Sequence, residues 1–92
     1  MIQSFRNGDT KELFETGSNK RWQGIRVAVC RKLDQIEAAM RLDDLRIPPG
    51  NRLEALKGDR AGQHSIRINE RYRICFIWKV DGAHNVEIVD YH

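Results

Sequence analysis

Apolar residues recur at helical steps through the first half of the chain and at strand steps through its last third. Trp22, Ile25, Val29, Leu33, Ile36 and Met40 follow one another at intervals of 3, 4, 4, 3 and 4 residues, the stripe of a helix with one buried side. The spacing predicts the longest element, running from Lys20 to Met40. Arg26, Arg31, Lys32, Asp34 and Glu37 fall off the stripe and read as its solvated face. Ahead of it, MIQSF reads as a short strand ended by the Asn7-Gly8 turn signal. Asp9 or Thr10 can then cap a first short helix with Leu13 and Phe14 on its buried side, closed by Gly17. The helical region stops at Pro48-Pro49-Gly50, because proline disfavours helix in the residue before it and has no N–H to donate.

Beyond the prolines, QHSIRIN, YRICFIWKV and NVEIVDYH are β-rich runs, joined by hairpin-type connections at Asn69-Glu70-Arg71 and Asp81-Gly82-Ala83. The predicted order is a strand, two helices and a three-stranded antiparallel meander. This is an α+β fold with the N-terminal strand and helices packed on one face of an antiparallel sheet. Cross-strand partners share a face, so the register of the first hairpin follows from pairing like with like. Ile68 then stands opposite Tyr72, Ile66 opposite Ile74 and His64 opposite Phe76, which makes a core face. The other side receives Arg67 opposite Arg73 and Ser65 opposite Cys75. A slip of one residue would set Ile66 against Arg73 and destroy the pattern.

Composition narrows the class. Ninety-two residues make one domain spanning 1–92, with a core that is thin but adequate without a metal or disulfide. The 40% apolar and 32% charged make-up is that of a globular chain rather than a disordered one. The opening MIQSFRNGDTKELF has no uninterrupted apolar stretch, and no run of the sequence nears 18 apolar residues. A cytoplasmic protein with free thiols is expected, Cys30 and Cys75 being buried within VAVCRKL and YRICFIW. The net charge of +3 is too small to name nucleic acid as a partner, but its distribution is uneven. From Arg41 to Arg73 there are eight basic residues against five acids, whereas after Lys79 there are three acids and no Lys or Arg.

Candidate chemistry gathers around the predicted sheet. Two arginines directly opposite on one face repel, at a cost of a few tenths of a kcal/mol or more. Either Glu54, Asp59 or Glu87 neutralises them as a surface ion pair, or the guanidinium forks clamp a phosphate. Lys57 and Arg60 sit in KGDRAG, where Gly58 and Gly62 let the backbone bend and leave amides exposed; a plain basic loop is the commoner outcome of such a stretch. No Walker, HExxH or CxxC pattern occurs, and His64, His84 and His92 are too scattered to argue for zinc. No metal or cofactor is expected.

The sequence closes on Asp90-Tyr91-His92. An ideal strand points Tyr91 and His92 to opposite sides, although a terminal residue can swing to either. Their plainer readings are a half-buried aromatic and a frayed end. Together with Lys57, Arg67 and Arg73, they contain what RNA cleavage by internal attack requires. A base takes the 2′-OH proton, an acid protonates the leaving 5′ oxygen, and cations hold the charge that develops on the phosphate. Histidine titrates near neutral pH and is the natural proton carrier among them.

The run PPGNRLEALKGDRAGQHSIRINERYRICFIW, the following VEIVDYH, and the opening MIQSF and LFETG closely resemble the HigB toxins of the RelE superfamily, the plasmid-maintenance killer proteins. The resemblance covers essentially the whole chain. It implies a RelE-like, microbial-ribonuclease-like fold and a toxin that enters the A site of the 70S ribosome and cuts the mRNA being translated, inhibiting translation and growth. A HigA-type helix-turn-helix antitoxin is the implied partner, with promoter DNA bound only through the toxin–antitoxin complex and no membrane involved. Position by position, it implies that Lys57 of LKGD and Arg73 of YRICF hold phosphate. Asp90, Tyr91 and His92 form the catalytic end, with His92 leading the acid–base work. Arg67 and Arg60 extend the RNA-binding set. Some relatives carry a histidine where Glu54 stands. A carboxylate there can act as a base but supplies no cationic stabilisation, which implies slower turnover or a different pH dependence. Two rivals remain at this point: a ParE-like toxin acting on DNA gyrase, and a catalytically weak repression partner of the antitoxin.

Overall fold

The computed structural model describes residues 1–90, and Tyr91 and His92 lie outside the described residues. Helix α1 spans Gly8–Thr16. Its cap is Asn7 rather than the expected Asp9 or Thr10. The chain leaves the N-terminal segment with Asn7 extended, so its Oδ1 accepts from the Thr10 N–H at 3.0 Å and from the Thr10 hydroxyl at 2.8 Å. Gly17 closes the helix in the left-handed region, at φ 77°, and donates its N–H to the Leu13 carbonyl at 2.8 Å.

Helix α2 spans Arg26–Ala38 and is shorter at both ends than its apolar stripe predicts. Trp22 precedes a 3-10 turn at Gln23–Ile25, and Ala39 ends the helix with an extended backbone at φ −65° and ψ 130°. Met40 prolongs the spacing but not the burial, being 88% exposed. The helix therefore stops well before Pro48. The Asp44 carboxylate receives the departing chain, its Oδ2 accepting from the Met40 N–H at 2.9 Å and the Arg41 N–H at 3.0 Å. The 3-10 turns Leu42–Arg46 and Pro49–Asn51 then lead to the sheet.

Four antiparallel strands follow in the order β1 (Glu54–Ala55), β2 (His64–Arg67), β3 (Tyr72–Lys79) and β4 (Gly82–Asp90). The predicted register is the observed one: His64 faces Phe76, Ser65 faces Cys75, Ile66 faces Ile74 and Arg67 faces Arg73. Strand β1 is an addition to the expected meander. At two residues it is too short to carry a period, and it forms by pairing Glu54 with Ser65 and Ala55 with His64. The N-terminal segment lies parallel to β4 through bridges at Ile2 to Ala83 and Phe5 to Val86.

Strand β4 carries a bulge. Cys75 pairs with Glu87, but Ile77 pairs with His84, so one extra residue sits on β4 opposite Phe76. Asn85 takes the left-handed conformation at φ 52° there, which asparagine tolerates better than most residues, and its N–H donates to the Ser4 hydroxyl at 2.9 Å.

Leu13, Val29, Leu33 and Ile36 of the helices pack with Ile66, Ile74, Phe76, Ala83, Val86 and Ile88 on one sheet face. Each such side chain contributes about 1.5–3 kcal/mol on burial. Helices α1 and α2 both contribute to this core, and the opposite face holds the polar rows described next. Among the described residues no helix is long and apolar enough to cross a membrane. Of the two expected buried thiols, Cys75 is buried and Cys30 is only half-buried, because it sits at the edge of the α2 stripe beside a surface hollow of about 480 Å³ that also meets Arg26, Arg31 and Asp34.

Candidate nucleic-acid interface

The strand registers bring two rows of side chains onto the open sheet face. One row runs Glu54, Ser65, Cys75, Glu87 across all four strands; the next runs Arg67, Arg73, Val89 across β2 to β4. Arg67 and Arg73 thus lie side by side, as the alternation predicts, and each avoids its neighbour by binding backbone. Arg67 Nε donates to the Asn69 carbonyl at 3.1 Å. Arg73 Nε donates to the Ser65 hydroxyl at 2.8 Å and Nη2 to the Arg52 carbonyl at 2.8 Å.

A third arginine arrives from the turn over β1 and β2. Gly58, at φ 63°, begins the 3-10 turn Gly58–Arg60, and Arg60 N–H donates to the Lys57 carbonyl at 3.2 Å. Arg60 Nη1 reaches Gln63 Oε1 at 3.1 Å and Glu87 Oε2 at 3.4 Å. The same carboxylate oxygen meets Arg6 Nε at 3.5 Å. Glu87 is thereby bracketed by two guanidinium groups, and its side chain is only 12% exposed. Glu87, one of the three acids that could have neutralised the cross-strand arginines, instead meets Arg6 and Arg60. Cys75 lies beneath this cluster. Burial pushes its thiol pKa up, with Arg60 and Arg73 opposing and Glu87 assisting, which disfavours the reactive thiolate.

Lys57 and Glu54 stand exposed on the rim beside the arginine rows, and among the described residues the Lys57 ammonium has no ion pair. Asp90 is elsewhere. It faces Tyr72 and shares the parity of Val86 and Ile88, the helix side of the sheet. There its carboxylate takes Arg71 in a forked contact at 2.8 to 3.1 Å, with the Arg71 guanidinium 5.1 Å from the Tyr72 ring centroid. The structure therefore separates Asp90 from Arg67 and Arg73, and the assignments of Tyr91 and His92 fall outside the described residues. His64 stacks on Phe76 on the core side, and His84 pairs with Asp81 at 2.6 Å near the β3–β4 turn. Among the described residues, no three His, Cys, Asp or Glu side chains come together to hold a metal ion.

Sequence reasoning placed Ser65 on this face, opposite Cys75, as the structure has it, but missed its bond to Arg73, the Arg52 carbonyl and Arg6. The Arg52 carbonyl and Arg6 depend on a loop path and on a parallel edge pairing that leave no periodic signal.

Chemically, this face offers planar guanidinium groups above the buried Ser65 and Cys75, with neutral acceptors and the Glu87 carboxylate among the groups that order them. Such a surface suits an extended phosphodiester better than an enclosed small molecule.

The family described as the RelE-like toxin of the type II toxin–antitoxin system HigB matches residues 3–92. Toxin HigB-1 of Vibrio cholerae is 41% identical over 85 residues, covering 90% of this chain and 88% of that protein. An uncharacterized protein of Haemophilus influenzae is 38% identical over 58 residues, covering 63% of this chain and 57% of its own. A solved structure titled YoeB/ParE toxin from Agrobacterium tumefaciens shares the fold with a TM-score of 0.52 at 20% identity, covering 98% of each chain. With its antiparallel sheet, two helices and near-complete match to the family, the chain belongs to the HigB-like, RelE-like toxins of type II toxin–antitoxin systems.

Proposed function

We propose that this toxin is an endoribonuclease that cuts mRNA in the ribosomal A site by metal-independent attack of a ribose 2′-OH. The observation that carries the reading is the ordered arginine face: Arg60, Arg67 and Arg73 on one side of the sheet, two of them cross-strand neighbours. Membership of the HigB-like family supports it. In the mechanism, Arg73 and Arg67 hold the scissile phosphate and its developing charge, while Lys57 and Arg60 hold flanking phosphates. His92 carries the proton to or from the reacting oxygens, Tyr91 positions the nucleotide or shares that transfer, and Glu54 is an auxiliary base on the rim. Asp90 acts at one remove, fixing Arg71 and the chain just before Tyr91.

Dependence on the ribosome follows from the scarcity of stacking surface. Trp22 and Phe76 are buried, and Phe5, Phe14 and Trp78 pack against the core, so naked RNA finds few aromatic platforms. The ribosome supplies the orientation that the toxin's surface lacks. The toxin acts in the cytoplasm, and its antitoxin partner is of the HigA type, with promoter DNA reached only through their complex.

The deciding experiment maps 5′ ends of cellular mRNA after brief induction of the parent protein and of His92→Ala, with and without a drug that blocks translation. New ends inside reading frames, lost in the variant and under the drug, are expected. Growth arrest without new ends would overturn the reading in favour of a gyrase-directed toxin.

A further inference from the structure

Asn51 is a fully buried side chain between α2 and the sheet, and it is saturated with partners. Its Nδ2 donates to Gln35 Oε1 at 2.9 Å and to the Leu45 carbonyl at 3.2 Å, and its Oδ1 accepts from the Lys32 ammonium. Two donors and an acceptor thus all find partners, which fixes the amide in orientation as well as in place. Backbone bonds reinforce it, Asn51 N–H reaching the Pro48 carbonyl at 2.9 Å and Arg52 N–H the Pro49 carbonyl at 3.1 Å.

The next residue, Arg52, adopts the left-handed conformation at φ 48° and ψ 54°. A non-glycine residue there costs about 1–3 kcal/mol and persists only where its surroundings impose it. The imposed conformation has a visible result: the Arg52 carbonyl is the acceptor for Arg73 Nη2 at 2.8 Å. The Ser65 hydroxyl fixes Nε of the same group. Both bonds bear on the orientation of one planar fork.

We infer that Asn51 is a positioning residue: anchored to Lys32 and Gln35 of α2, it sets the Arg52 carbonyl and through it the aim of the Arg73 guanidinium. The inference rests on the reading of Arg73 as a phosphate-holding group for its effect on cleavage, but not for the tether itself. Polar burial at Asn51 therefore serves the open face on the far side of the sheet rather than the core alone.

The test uses Asn51→Ser, the milder Gln35→Ala, and Arg73→Lys, which keeps the charge but loses the fork. Two measurements are made on the full chain. The first is the NMR signal of the Arg73 Nε–Hε group, expected to be rigid and slowly exchanging in the parent and averaged in both tether variants. An unchanged Arg73 signal in both folded tether variants overturns the inference, whatever happens to cleavage. The second is the single-turnover rate on mRNA bound to ribosomes, expected to fall roughly ten- to hundredfold in the tether variants. That loss should nearly vanish in the Arg73→Lys background, because the tether then has no fork to aim. An equal loss in both backgrounds marks Asn51 as generally structural and overturns the inference. Altered Arg73 dynamics in a protein that cuts nothing would keep the tether and sink the nuclease reading.

Discussion

Single residues in this protein are often set by a neighbour whose role is invisible in the sequence. Asp44 is an example at the foot of α2, where its carboxylate accepts from the Arg41 and Met40 N–H groups, and those bonds lower its pKa. A carboxyl group with a depressed folded-state pKa contributes stability fully above its unfolded value, near 3.9. The contribution is lost as pH falls through the lower folded value. Asp44→Ala should therefore melt below the parent at pH 7, and the gap between the two should narrow as the pH is taken down through 4 and below. Thermal unfolding followed by circular dichroism at a series of pH values checks this. A gap that stays constant with pH would show that the loss comes from packing rather than from the carboxylate.

At the scale of elements, alternation was the most informative feature of the sequence. Pairing like with like across the first hairpin placed Ile66 on Ile74 and Arg67 on Arg73, and the structure has that register. The reason is physical: with one face buried, a slip of one residue would turn every apolar side chain outward. Signals that depended on counting alone were weaker. Met40 extends the helical spacing past the true end of α2, and β1 has only two residues, too few to show a period. The arginine pair of the candidate site was legible for the same reason as the core. The Arg52 carbonyl that receives Arg73 was not, since it comes from an irregular segment. Ile74 lies at the centre of the legible part, fully buried between the helices and β2 and β4. Ile74→Ala should cost about 2–5 kcal/mol of stability, read as a lower midpoint in urea; a loss well under 1 kcal/mol would mean that the helix layer collapses to fill the space.

For the whole molecule, the sheet separates two tasks. Apolar surface is spent against the helices on one face, and the other presents guanidinium groups in fixed directions. Binding to a ribosome–mRNA complex should therefore weaken steeply with salt, as phosphate contacts release counterions. Arg67 lies beside Arg73 yet is held by a backbone carbonyl rather than a carboxylate, so it is available for such a contact. Arg67→Ala should flatten the slope of log affinity against log salt by roughly 1 while leaving the melting temperature nearly unchanged. An unchanged slope would place the RNA on another surface.

The bulge opposite Phe76 leaves this division intact. Ala83 and Val86 differ in parity yet both face the helices, whereas Glu87 and Val89 face the arginines. With the extra residue Asn85 left out of the count, Ala83, Val86 and Ile88 alternate with His84, Glu87 and Val89. Deleting Asn85 would therefore heal the ladder, with His84 opposite Ile77, Val86 opposite Phe76 and Glu87 opposite Cys75, and would turn no side chain over. What it would remove is the left-handed bend and the bond from the Asn85 N–H to the Ser4 hydroxyl. The inserted asparagine is a clip that fastens the N-terminal segment to β4, and that segment brings Arg6 to Glu87.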